Sequence, residues 1–164
     1  MFTQRADDAS VSALRQDDAR HSIEVLHALQ AMANQLGAFD FHSAPQGQAP
    51  LLLADVEVSV RADLLVHGAV RSREQIGVAI LRMTQDDADT DAARSRRQDM
   101  GFYVATLGRL HLEANIESNR EPANRLCLSI DVQHREAFAC PAITRRRTDL
   151  ENACRFIAAM WPSA

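Results

Sequence analysis

Asp63 is the residue in this sequence placed to do metal chemistry. It opens the apolar run LLV in RADLLV, at the head of a strand, and IGVAILRM over 76–83 reads as the strand that returns beside it. Two carboxylates on adjacent strands can converge on a hard cation, which then activates water. The returning strand offers no such group. Val78 and Ile80 are hydrocarbon, and Arg82 is the charged residue of that strand. Glu24 on the first helix and Glu57 on the preceding strand are the acids left to complete a displaced set. The alternative is a strand-end aspartate paired with Arg61 or Arg82.

The other reactive side chains form weaker patterns. His21, His27, His42, His67, His111 and His134 make no H-x-H, H-E-x-x-H or H-x-x-x-H pair, so the spacing does not signal a zinc enzyme. His111 falls on an apolar helical stripe and reads as a core histidine. Asp131 and His134 lie close at a strand end, as a dyad or as a solvated turn. G-x-S-x-G, G-x-G-x-x-G and the phosphate-binding loop are all absent. Arg94, Arg96 and Arg97 form one basic run, and Arg145, Arg146 and Arg147 a second. Either could grip phosphate bidentately, or pair with Asp91, Asp99 and Asp149.

Composition narrows the chemistry further. All 18 basic residues are arginine. Without lysine there is no Schiff base, no phosphate-loop lysine and no lysine base, and arginine stays protonated at any working pH. The net charge of −4 argues against nucleic-acid binding over the whole surface, though a local patch would still serve. One Trp, one Tyr and six Phe are few for base stacking. Cys127, Cys140 and Cys154 match no zinc or disulfide framework and read as reduced, mostly buried thiols of a cytoplasmic protein. The acidic N-terminus is not a secretory signal, and no apolar run is long enough to cross a membrane.

The elements that would position these residues follow from periodicity. A single domain over 1–164 is expected, with residues 1–9 flexible and 38–50 a loop. Ile23, Leu26, Leu29, Ala33 and Leu36 make one helical stripe ending at Gly37, taken as a left-handed helix end, and Asp17 and Asp18 would suit the helix's first turn. Val56, Val58 and Val60 alternate with polar residues, with a break near Asp55. The strand over 76–83 is apolar on both faces, so it belongs in the middle of a sheet. Gly68 and RSREQ supply the turn before it. A long helix is predicted over roughly 90–116, preceded by aspartates. Leu126, Leu128, Ile130 and Val132 share a strand face, AFAC returns as a short strand, and a final helix carries Thr148 and Glu151 at capping-box spacing. The class is α+β, with a mostly antiparallel or mixed sheet of about five strands, three helices and the order α-β-β-β-α-β-β-α.

That order, with Asp63 in RADLLV, resembles the core of the PD-(D/E)XK nucleases. The resemblance spans residues 11–132. It implies a Mg²⁺ site built from Asp63, an acid-x-lysine on the next strand and an acid such as Glu24. Gln98 and Tyr103 resemble a glutamine–tyrosine pair of some members, at a spacing of five rather than four. Ala62 stands in place of the family's proline, and the acid-x-lysine is missing, so the resemblance is to a degenerate member. The wider pattern also resembles small proteins of proteobacteria and their phages. The expected function is a non-catalytic binding module without cofactor, acting on a protein or nucleic-acid partner through the sheet face and the arginine runs. Two alternatives stand beside it: a Mg²⁺-dependent hydrolase displaced around Asp63, and a self-associating structural subunit that pairs through strand edges.

Overall fold

The structure, a computed structural model, describes residues 12–83 and 88–161. Residues 1–9, Asp86, Asp87 and Pro162 therefore lie outside the described part. In chain order the elements are helix α1 (Ala13–Ala31), one-turn α2 (Ala33–Leu36), strand β1 (Asp40–Ser43), and the hairpin β2 (Leu51–Leu53) with β3 (Val56–Val58). Next come β4 (Leu64–Val70), β5 (Arg73–Arg82) and helix α3 (Asp91–Asn115). The two-residue β6 (Glu121–Pro122), a 3₁₀ turn (Asn124–Leu126), β7 (Leu128–Asp131), β8 (Glu136–Ala139) and helix α4 (Ile143–Met160) complete the chain.

The fold is α+β around a mixed sheet in the order β1-β4-β5-β7-β8, with β6 appended to β5. β5 is central, as its two apolar faces require. It pairs antiparallel with β4 and parallel with β7. One face of the sheet carries Val66, Ala79, Leu128 and Ile130 and is covered by Ala28 of α1 and by Met32, which follows that helix. The other carries Ile76 and Val78 and is covered by α3 through Ala105 and Leu112. Small residues let α3 lie close, with Gly101 facing Phe138 and Gly108 facing Val78 and Ile80. On the far side of α3, Leu110 meets Leu51, Leu53 and Val60 from the β2–β3 segment and Cys154 from α4.

Both tight hairpins turn on non-glycine residues with positive φ. These are Ala54 and Asp55 between β2 and β3, and Arg71 and Ser72 between β4 and β5. The flanking pairs Leu53–Val56 and Val70–Arg73 close two-residue loops, whose twist matches that of the strands. Gly68 therefore lies within β4, not in the turn.

Several local expectations are corrected. Segment 38–50 is not wholly a loop, because Asp40–Ser43 pairs with β4 as the edge strand β1. α1 starts at Ala13, which puts Asp17 and Asp18 beyond its first turn. Gly37 has an ordinary right-handed conformation, with φ −65°. Thr148 and Glu151 form no capping box. α4 begins at Ile143, so Thr148 lies inside the helix, where its hydroxyl donates to the Thr144 carbonyl. The cap that does form is Thr90, whose hydroxyl accepts from the Ala93 N–H at the start of α3.

Candidate functional site

Asp63 precedes β4, where pairing with β5 is ending. Its backbone N–H donates to the Ala79 carbonyl. Its carboxylate accepts the Leu81 N–H at 2.7 Å, extending the ladder by one side-chain bond. The partner is thus a backbone amide, not Arg61 or Arg82. Val78 is fully buried, and with Ile80 it packs against Gly108 of α3. Glu24 sits on α1, which covers the opposite face of the sheet, and Glu57 lies on the separate β2–β3 hairpin. Among the described residues, Asp63, Glu24 and Glu57 belong to no cluster of three metal-ligating side chains. Gln98 is exposed on α3, and Tyr103 donates to Asp149 at 2.9 Å.

The arginine runs meet acids. Arg94 bonds Asp89 at 2.8 Å and Asp91 at 2.7 Å. Arg97 is buried and donates to the Ala88 carbonyl. Arg146 reaches across from α4 to Asp99 on α3 at 3.3 Å, its guanidinium 5.0 Å from the Phe102 ring centre and 5.4 Å from that of Tyr103. Arg147 pairs with Glu151, and Arg145 lies 4.0 Å from Asp149. Arg96 is exposed on α3. Through Arg146, cross-helix pairing and cation–π contact dock α4 on α3.

Two buried polar networks take up other candidates. Asp131 is 1% exposed; it accepts from the His134 N–H at 3.1 Å and contacts His134 Nδ1 at 3.0 Å. Its other oxygen lies 3.7 Å from Arg82, whose guanidinium also donates to the Arg97 carbonyl. The Asp131–His134 pair thus anchors the β7–β8 turn to β5.

His111 is fully buried. Its Nε2 lies 2.9 Å from Gln48 Oε1, and its Nδ1 accepts from Asn115 at 3.0 Å. The same oxygen of Gln48 also accepts the Ala62 N–H and its amide nitrogen donates to the Ala62 C=O, at 2.9 Å each, in the manner of a paired strand residue. This staple ties the 44–50 connection to the residue before Asp63. An imidazole that donates to one amide and accepts from another is neutral, and burial holds its pKa below the ordinary 6.5. The unfolded chain therefore takes up this proton first as pH falls. Stability contributed by neutral His111 should be full above pH 6.5 and decline below it, through the lowered value. His111→Ala should cost about 2–4 kcal/mol at neutral pH through cavity and orphaned amides. Urea titrations at pH 7.5 and 5 check both points: the variant should lose less stability between them than the parent. An equal loss would show that His111 is not the titrating group.

The cysteines form no reactive centre. Cys127, Cys140 and Cys154 are free and buried, and burial pushes Cys127 up to about 12. No helix among the described residues is long and apolar enough to cross a membrane.

Two features escaped the sequence. One is a three-donor cluster of Asp40, His42 and His67, assembled by the pairing of β1 with β4. Its signal is D-x-H on a strand, visible only once β1 is known to be a strand. The other is surface hydrophobicity. Phe156, Ile157, Met160 and Trp161 are exposed on the last turns of α4. A groove of about 900 Å³ also runs between α1 and the β7–β8 end of the sheet, lined by Val25, Leu26, Met83 and Val132 with Asp18 and Glu24. Comparison with known proteins found no matching family model, no matching curated protein and no matching solved structure.

Proposed function

We propose that the chain is a non-catalytic protein-binding module that pairs with a second copy of itself through the end of α4. The observation that carries this is the exposure of Phe156 (67%), Met160 (68%) and Trp161 (83%), with Ile157 half exposed beside them. At about 100° per residue Phe156, Ile157 and Met160 fall within ~100° around the helix axis, and Trp161 follows at the helix's end. Cys154, the buried residue of α4, lies outside that arc, about 160° from Phe156, and meets the body of the protein. Trp, Phe and Met are the residue types enriched where proteins meet.

Area favours a second copy as occupant. Four side chains of this size expose on the order of 500 Å² together. A twofold pairing would hide about 1,000 Å² from these residues alone. The flanking turns would then bring it to the ~1,200–2,000 Å² of a specific interface. The nuclease-like resemblance enters this reading only as an element order.

Light scattering during size-exclusion chromatography tests the proposal. The expected mass is twice the 18.2 kDa of one chain. Phe156→Glu with Met160→Glu should weaken pairing at least about thirtyfold, the loss of one ~2 kcal/mol hot spot, while leaving the circular dichroism spectrum unchanged. A strict monomer at high protein concentration would overturn self-pairing.

A further inference from the structure

We propose that Asp40, His42 and His67 form a binding site for a divalent transition cation of the zinc class, at the β1 edge of the sheet. β1 and β4 run antiparallel with Asp40 directly opposite His67, and His42 lies two residues along from Asp40, so all three project from one face. One ligating atom from each lies within 4.8 Å of the other two. His42 Nε2 already approaches Asp40 Oδ2 at 2.9 Å. The two imidazoles stack with ring centres 4.0 Å apart and planes 30° from parallel.

The arrangement suits a cation better than protons. Two imidazolium ions at this separation would repel each other, whereas one metal ion can take a lone pair from each ring and from the carboxylate. Arg120 is the opposing charge, and Glu74 engages it at 3.2 Å.

Donor chemistry sets the class. Two imidazole nitrogens with one carboxylate suit Zn²⁺, Co²⁺, Ni²⁺ or Cu²⁺, whereas Mg²⁺ and Ca²⁺ prefer oxygen alone. Metal–donor distances of about 2.0–2.2 Å require only side-chain rotation, because strand pairing already holds the three backbones in place. Asp40 and His42 are exposed, which gives the ion an entry path and leaves a coordination position to solvent. Bound there, the ion would clip the four-residue edge strand β1 to β4 and stabilise the folded chain by linkage.

Calorimetric titration of the metal-free chain with ZnCl₂ at pH 7.4, in a non-chelating buffer, tests the site. One ion per chain is expected, with a micromolar Kd, together with a rise in melting temperature. MgCl₂ at the same concentrations should give neither. His67→Gln and His42→Gln, each with an unchanged circular dichroism spectrum, should weaken binding at least tenfold and lose the thermal shift. Co²⁺ should develop visible d–d bands in the parent chain and not in His67→Gln, a readout independent of stability. No zinc binding in the parent, or equal affinity in parent and both variants, would overturn the proposal. Equal affinity would assign the ion to scattered surface histidines.

Discussion

Gly77→Ala should unfold at a much lower urea concentration than the parent chain. Gly77 lies in the middle of β5, and a Cβ there would stand 2.0 Å from the carbonyl oxygen of Leu126, 2.1 Å from its carbonyl carbon and 2.5 Å from its Cβ. These atoms are not free to retreat. The Ala123 N–H donates to Ile76 on β5, the Leu126 N–H to Ala123, and the Cys127 N–H to Asn124. The 3₁₀ turn is therefore tied to the strand it crosses. Gly77 has no positive φ, so the penalty is steric and not conformational. Forcing a methyl group against backbone in a packed core costs more than about 3 kcal/mol, a large part of the ~5–15 kcal/mol by which domains are stable. Urea denaturation of the soluble fraction gives the size of the loss. Gly47→Ala is the control, since nothing lies within 4 Å of a Cβ there. A Gly77→Ala midpoint equal to that of Gly47→Ala would mean that the turn does not rest on β5.

Asp131→Ala should come second, with a loss of about 3–5 kcal/mol. The carboxylate is buried, and it answers Arg82, the His134 N–H and the His134 ring together. Without it, Arg82, 12% exposed, keeps the Arg97 carbonyl as its hydrogen-bond acceptor among the described residues. An unbalanced charge in such surroundings costs far more than the pair contributes when intact. The double variant Arg82→Leu with Asp131→Leu should therefore recover much of the loss. Arg94→Ala sets the scale, because its two acids are exposed and such pairs contribute ~0–1 kcal/mol. A loss for Asp131→Ala no larger than for Arg94→Ala would contradict the buried-anchor role.

The parts of the fold legible in advance are those whose pattern depends on burial alone. Leu126, Leu128, Ile130 and Val132 alternate because one face of β7 meets α1, and all four lie in that core. The helix over 91–115 keeps its stripe for seven turns, and no competing pattern matches it. β1 was missed because DFHS has no β-branched residue. It is a strand only because β4 offers an unpaired edge, which is a tertiary fact. The capping-box spacing at Thr148 misled because α4 starts five residues earlier, with no side-chain cap of its own.

Site residues divide in the same way. Residue type identified Asp63 as reactive, but its role depends on where the β4–β5 ladder stops. The arginine runs advertised charge, but the acid that Arg146 meets lies on another helix. His67 follows Asp40 and His42 by a stretch that includes a whole separate hairpin, so no linear spacing could join them.

The mixed pairing of β5 also sets an order of events as the chain folds. Its partner β4 is two residues away, so that hairpin closes at little entropic cost and can appear early. β7, its other partner, must wait until the 25 residues of α3 have been laid across the sheet. Closing that long connection is the slow, non-local step. Until it happens, the edge of β5 stands open to strangers, so crowded or overheated chains should aggregate from this half-built sheet.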